Sequence, residues 1–326
     1  MTRSLTQTTR RPGPAGSSTV SPELGVPCGD HPLGRWVRDA SGSEGFVLAS
    51  HSISMDSANR HRMAVNRRKW DEAVPLHVAS PVYDVPSFKA GRSTLEPIEV
   101  ERVGPVHGRS LLHLQCHFGL DTLSWARLGA KVHGVDYSPM AVRTARALAL
   151  ELGLPATFVE ANVYDLPRRL RRKFDIVYTG KGALCWLPDL ARWGEVVARF
   201  LRPGGRFFLL EDHPMSDCYD TRVPPPRLVL KHPYFQGHAS RGVYDGTYAT
   251  AVKMRNRVSF EWIHPVSEVL EGLIGAGLRI DSVAEYPYTY WQKFRSMRPH
   301  PDGYWHFIRG DRTIPLMWSV TASMRR

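Results

Sequence analysis

Between residues 111 and 213, apolar runs alternate with amphipathic stretches, and that alternation limits what the chain can fold into more than any other feature. LLHLQ (111–115), KVHGVDYS (131–138), ATFVEANVYDL (156–166), KFDIVYTG (173–180) and RFFLLEDH (206–213) read as strands, rich in β-branched and aromatic residues. Between them GLDTLSWARLGA (119–130), MAVRTARALALELG (140–153) and DLARWGEVVARFLRPGG (189–205) repeat apolar residues at helical spacing. Alternating elements with short joins imply an α/β fold with a parallel sheet and helices on both faces.

The flanks divide the rest. Residues 1–62 are rich in Ser, Thr, Pro and Gly up to about residue 54 and are expected to be a disordered extension. Met55 and Met63 stand just before the first structured stretch, so an upstream start or an Arg- and Ser-rich transit segment are alternatives for this part. Residues 63–104 are expected to form a cap of mixed helical and extended pattern, with a short helix at 94–104. Residues 105–212 then form the core, and 213–326 a substrate-side insertion followed by the closing strands. That last region holds a hairpin over 246–265, a helix over 266–278, and strands over 279–289 and 315–324.

Composition narrows the class. The net charge of +12 is uneven: residues 1–70 hold ten Arg or Lys against five Asp or Glu, and RRLRRK at 168–173 adds five more. Charge concentrated in a tail and one loop makes a nucleic-acid partner the weaker expectation. No stretch reaches about 18 apolar residues, the length a membrane helix needs. Cysteines at 28, 116, 185 and 218 form no CxxC pair and have no His partners at zinc spacing, so a cytoplasmic protein without a disulfide framework or a metal is expected.

In an open parallel sheet the ligand lies beyond the carboxyl ends of the strands. Four tips meet there: QCHFGLDT after the first strand, Asp136 with Tyr137 and Ser138 after the second, Asn162 and Val163 after the third, and YTGKGALCWL after the fourth. Asp136 follows the first loop by about 20 residues, the place from which a carboxylate accepts from both hydroxyls of a ribose. Capping the next helix is its alternative role, for which Ser138 is the better residue. Asn162 and Val163 suit an adenine edge and face, with a solvated turn as the alternative. Cys116 and His117 are neighbours on an extended segment and point to opposite faces, so packing or ligand lining is favoured over joint chemistry on one atom.

The order LLHLQCHFGLDT, VHGVDYS, FVEANVYDL, FDIVYTGKGALCWLPDL, LRPGGRFFLLE resembles the class I S-adenosylmethionine-dependent methyltransferases, in particular bacterial small-molecule enzymes. The likeness covers about residues 63–326. It implies a Rossmann-like methyltransferase fold: a seven-stranded, mostly parallel sheet with an antiparallel last strand. It also implies S-adenosyl-L-methionine as the cofactor, held by Gln115, Cys116, His117, Gly119, Asp121, Thr122, Asp136, Tyr137, Ser138, Asn162, Val163, Thr179, Gly180 and Leu184, with Trp70 and Tyr83, and also His77, covering it from the cap. The first loop departs from the family at large, which has Glu/Asp-x-Gly-x-Gly-x-Gly where this chain keeps only Gly119. In that comparison Gln115 replaces the acid, Gly119 lets the backbone approach the cofactor, and Asp121 at a helix start disfavours a phosphate and suits a zwitterion.

The expected activity is methyl transfer to nitrogen or oxygen, with carbon a further option, of a small aromatic or heteroaromatic metabolite of bacterial specialised metabolism, by a monomer or homodimer. Aromatic residues crowd 213–312, among them Tyr234, Tyr248, Trp262, Tyr290 and Trp291, as walls for a flat molecule do. His213 and His264 are the candidates for proton transfer. Cofactor cyclisation and an RNA-directed activity are the alternatives.

Overall fold

The computed structural model describes residues 34–38, 44–48, 56–223, 227–308 and 314–325. It divides into residues 1–52 and residues 53–326. Within the first unit, Gly34–Arg38 pairs antiparallel with Glu44–Leu48. This strand pair corrects the expectation of disorder over 1–62 in part; most of the remainder lies outside the described residues.

The second unit opens with α1, Ser57–Val78, so residues 57–62 are helical as well. The Asp56 side chain accepts from Asn59 N–H and caps the helix, a start signal outweighed in the sequence by the polar run before it. The mixed pattern expected after residue 63 is a 22-residue helix that contains Pro75. Next come α2, Val85–Lys89, and α3, Pro97–Val103, where Glu96 and Glu99 form a capping box.

The core strands are β1 Ser110–Leu114, β2 Lys131–Asp136, β3 Ala156–Glu160, β4 Phe174–Thr179, β5 Leu201–Asp212, β6 Leu278–Tyr286 and β7 Met317–Met324. They lie in the order β6-β7-β5-β4-β1-β2-β3. β7 is antiparallel to both its neighbours, and the ladders from β5 through β3 are parallel. This is the seven-stranded sheet expected from the sequence. Central β1 is buried at every position, Ser110 and His113 included, whereas edge strand β6 alternates buried or half-buried with exposed residues.

Helices α4 Leu120–Arg127 and α5 Pro139–Glu151 follow β1 and β2; α6 Leu190–Phe200 follows β4, and α7 Val266–Gly275 precedes β6. Leu112, Leu114, Val177 and Leu209 face α6 and α7 in one core layer, while Leu111, Ile176, Phe208 and Leu210 face α3 and α4 in the other. The α6–α7 crossing is unusually close: a Cβ on Gly194 would lie 2.1 Å from the Gly272 carbonyl oxygen, so both positions need glycine. The hairpin expected within 246–265 is corrected. Val258–Glu261 pairs with Ser240–Val243, and residues 246–257 form a loop between these strands.

Candidate active site

Asp136 organises the tips of β1 and β2. Its Oδ2 accepts from His117 N–H and its Oδ1 from Ser138 N–H, each at 2.8 Å. Burial raises the carboxyl to about 6 against the pull of these donors. Ser138 caps α5 by accepting from Ala141 N–H and donates to Asp71, which also accepts from Met140 N–H. Asp136 is thus free of the capping role, and Asp71 is a supporting residue that sequence reasoning missed.

The first loop turns through left-handed backbone at three alternate residues: Gln115 (φ 57°), His117 (φ 50°) and Gly119 (φ 87°). These fall on the three glycine positions of Glu/Asp-x-Gly-x-Gly-x-Gly. Gln115 therefore takes the place of the first glycine and not of the acid, a correction; the acid position falls on His113. That ring is buried and bonds Thr122 Oγ1 at 2.8 Å. Gly119 serves packing, since a Cβ there would lie 2.8 Å from the Phe158 ring and 2.9 Å from Ala145.

The loop after β4 is held from two sides. Gln115 Nε2 donates to Ala183 O at 2.7 Å, and the Glu211 carboxylate accepts from Gly182, Ala183 and Leu184 N–H at 2.6, 2.8 and 3.0 Å. Burial and neighbouring Asp212 push Glu211 up to about 8. Glu211 was missed as well; its signal was an acid closing the apolar run FFLL. Lys181, next to this loop, meets Glu99 at 2.9 Å, Asp121 at 3.6 Å and Glu96 at 4.0 Å. Burial opposes its charge, but the three carboxylates hold the ammonium above its usual range. Asp121 also accepts from Thr94 Oγ1, so its side chain is engaged within the protein.

An aromatic cluster joins these tips to the cap. Trp70 packs edge-on to His117, Trp186 and His77 with centroids at 5.1, 5.2 and 5.6 Å, and His77 stacks on Tyr83 at 5.2 Å. His77 Nδ1 lies 3.1 Å from His117 Nε2, and His77 Nε2 lies 2.8 Å from Thr247 Oγ1. The Tyr83 and Tyr248 hydroxyls bond to each other. Burial lowers His77 to about 4 and His117 well below its ordinary value, so both rings are neutral near pH 7. Tyr137 lies under Arg67, whose guanidinium carbon is 5.2 Å from its ring centroid.

Both proton-transfer candidates have their rings engaged within the protein. His213 is buried; its Nδ1 accepts from Met215 N–H, and its Nε2 lies 2.8 Å from Glu285 on β6. His264 spans Leu187 O at 2.7 Å and Glu268 at 3.1 Å. Each ring has both nitrogens engaged and pins neighbouring elements. Cys116 lies in the core with Phe118 and Phe158, while Val163 and Leu184 lie in the core layer under α6. Asn162 accepts from Tyr164 N–H and so caps a short helical turn. Gly180 is close-packed on Tyr178 and His113.

A family model described as a methyltransferase domain matches residues 111–205. The ubiquinone biosynthesis O-methyltransferase of Methylobacterium sp. is 32% identical over 184 residues, 54% of this chain and 68% of that protein. The chain belongs to the class I S-adenosylmethionine-dependent methyltransferases. The enzyme of the same name from Photorhabdus laumondii is 32% identical over 171 residues, 52% of this chain. The chain spans 66% of that relative's length, and 55% of its counterpart in Proteus mirabilis. The S-adenosylmethionine-dependent methyltransferase of Mesorhizobium loti shares the fold, with a TM-score of 0.50 at 21% identity over 72% of this chain and 99% of that one.

The methyl donor of this family is S-adenosylmethionine, and the residues at the tips fit it. Gln115 Oε1 and Thr179 Oγ1 are buried at the ends of adjacent β1 and β4, and neither has a partner among the described residues. Buried polar atoms are seldom left orphaned in a native structure. Beside them the Asp136 carboxylate is oriented by backbone N–H groups of His117 on one oxygen and Ser138 on the other, with Tyr137 N–H a further donor.

Proposed function

We propose that this methyltransferase places the methyl group of S-adenosylmethionine on an oxygen or nitrogen of a small aromatic metabolite. Asp136 is the observation that carries this reading. Its two oxygens are oriented by the backbone of the β1 loop and of the α5 start at the tip of β2, the place from which a carboxylate accepts from ribose hydroxyls. Gln115 Oε1 and Thr179 Oγ1 are the acceptors for the donor's amino acid end. The relatives' names describe O-methylation in ubiquinone biosynthesis, which favours oxygen and an aromatic acceptor.

The cofactor supplies, when bound, a methyl on a cationic sulfur that is open to in-line displacement. The protein's part is alignment and exclusion of water, which alone lowers such a barrier substantially. Trp70, Tyr83 and Trp186 wall the tips of β1 and β4, and Tyr248 with Trp291 extends that wall towards β6. His77, like His213 and His264, has both ring nitrogens engaged within the protein, so alignment and exclusion of water, not proton abstraction by these rings, are the protein's contribution.

The test is release of S-adenosylhomocysteine from S-adenosylmethionine over a panel of phenols, catechols and arylamines. Turnover with a phenolic acceptor, lost in Asp136→Ala, is expected. Donor binding without turnover on any of the panel rejects the acceptor class, and absence of donor binding rejects the whole reading.

A further inference from the structure

The strands Met297–Pro299 and Trp305–Phe307 form a hairpin, and the run from its turn into the second strand reads His-Pro-Asp-Gly-Tyr-Trp-His over 300–306. His300 N–H donates to Tyr304 O and Gly303 N–H to His300 O, each at 2.9 Å, and Gly303 takes the left-handed backbone the turn requires. Closing in this way brings one ligand atom from each of His300, Asp302 and His306 within 4.8 Å of one another.

The spacings from Asp302 to the two rings approach those of a coordination sphere. Asp302 Oδ2 lies 3.2 Å from His300 Nδ1 and 2.8 Å from His306 Nε2. Donor atoms about 2.0–2.1 Å from one cation, at angles between octahedral and tetrahedral, stand roughly 2.9–3.4 Å apart. The supports are in place too. Asp302 Oδ1 accepts from Tyr304 N–H at 2.9 Å, which fixes the carboxylate and leaves Oδ2 facing the imidazoles. The His306 ring packs on Tyr288 with centroids 5.2 Å apart, and Tyr288 packs on buried Tyr304 at 4.7 Å. The His300 and His306 rings lie 4.6 Å apart.

We propose that His300, Asp302 and His306 bind one divalent transition-metal cation, which clips the two strands of this hairpin at its tip. Two imidazoles and a carboxylate suit zinc, cobalt or nickel over magnesium or calcium, which prefer all-oxygen sets. His300 and Asp302 are exposed, so the remaining coordination positions are open to water or to an anionic ligand. Reading the sequence for metal sites by its cysteines passed over this group, because the chelate has no sulfur and its spacing acts through a turn.

The test is calorimetric titration of the full chain with zinc at about pH 7.5, where histidine ligands are deprotonated, together with a melting curve. One equivalent should bind and raise the melting temperature. His306→Ala and Asp302→Asn should each weaken this binding by more than the roughly 10- to 100-fold that loss of a merely supporting residue costs. Both variants should keep the wild-type far-UV circular dichroism and affinity for S-adenosylhomocysteine, which shows that the fold is intact. Absence of zinc binding at about 100 µM, or binding of equal strength in His306→Ala, overturns the proposal; the latter places the zinc at another histidine or cysteine.

Discussion

Replacing Asp136 with Asn tests the proposed donor site at the residue that carries it. The substitution keeps the shape but puts an N–H₂ where one of two acceptor oxygens stood, opposite either His117 N–H or Ser138 N–H. A hydrogen bond to a charged group contributes about 1.5–3 kcal/mol, so losing one ribose contact and the charge at the other predicts roughly a 100-fold weaker affinity for S-adenosylhomocysteine. The wild-type carboxyl sits at about 6. Affinity should therefore fall as pH drops through 6, because only the ionised form accepts on both oxygens. Stability has the opposite sign. A carboxyl raised from 3.8 to about 6 contributes stability that is complete below pH 3.8 and is lost as pH rises through 6, at most about 3 kcal/mol in all. Titration calorimetry with S-adenosylhomocysteine from pH 5 to 8, with urea unfolding over the same range, reads both. An affinity flat with pH and unchanged in Asp136→Asn would refute the assignment.

Three further outcomes follow from the same contacts. Gly194→Ala drives a methyl against the Gly272 carbonyl and should cost about 3 kcal/mol or more in urea unfolding, the upper end of overpacking penalties. Glu211→Gln leaves at least one of the three loop N–H groups without an acceptor; we expect a loss of about 1–3 kcal/mol in stability and weaker donor binding as the 182–184 loop loosens. His213→Gln and His264→Gln should lower the melting temperature yet leave the pH dependence of turnover unchanged, and a lost or shifted limb in either pH–rate profile restores that histidine to the chemistry.

How far the sequence could be read depended on the range of the forces involved. The alternation over 111–213 placed all five leading strands, because period and burial are local properties of the chain. The strand pair of 240–243 with 258–261 escaped, since pairing across an intervening loop leaves no local pattern. The place of Asp136 at the end of β2 was legible from the apolar run before it. Glu211 and Asp71 were not, because their partners are backbone N–H groups far away in sequence. The engagement of the two histidines was not legible for a related reason: a ring before proline has the same sequence whether it faces a ligand or bonds Glu285 on β6 or the carbonyl of Leu187.

The first loop shows most sharply what a pattern of residue types leaves out. Three alternate positions there need left-handed backbone, and only one is glycine. A non-glycine residue in that conformation costs about 1–2 kcal/mol, so Gln115 and His117 persist because their side chains return something: a bond to Ala183 O from one, and packing with Trp70 and His77 from the other. The two contributions at His117 can be separated. His117→Ala removes the ring and keeps the strained Cβ, while His117→Gly removes both. His117→Gly should therefore be the more stable of the two by about 1 kcal/mol even after the extra chain entropy of glycine is counted. Both should fall below wild type, since His77 Nδ1 loses its buried partner at a cost of about 1–3 kcal/mol. In a His77→Ala background that second loss vanishes, and His117→Gly should become neutral or stabilising. If urea unfolding finds the alanine variant as stable as the glycine one, the loop is unstrained at 117, and the correspondence of these positions with the family's glycines falls with it.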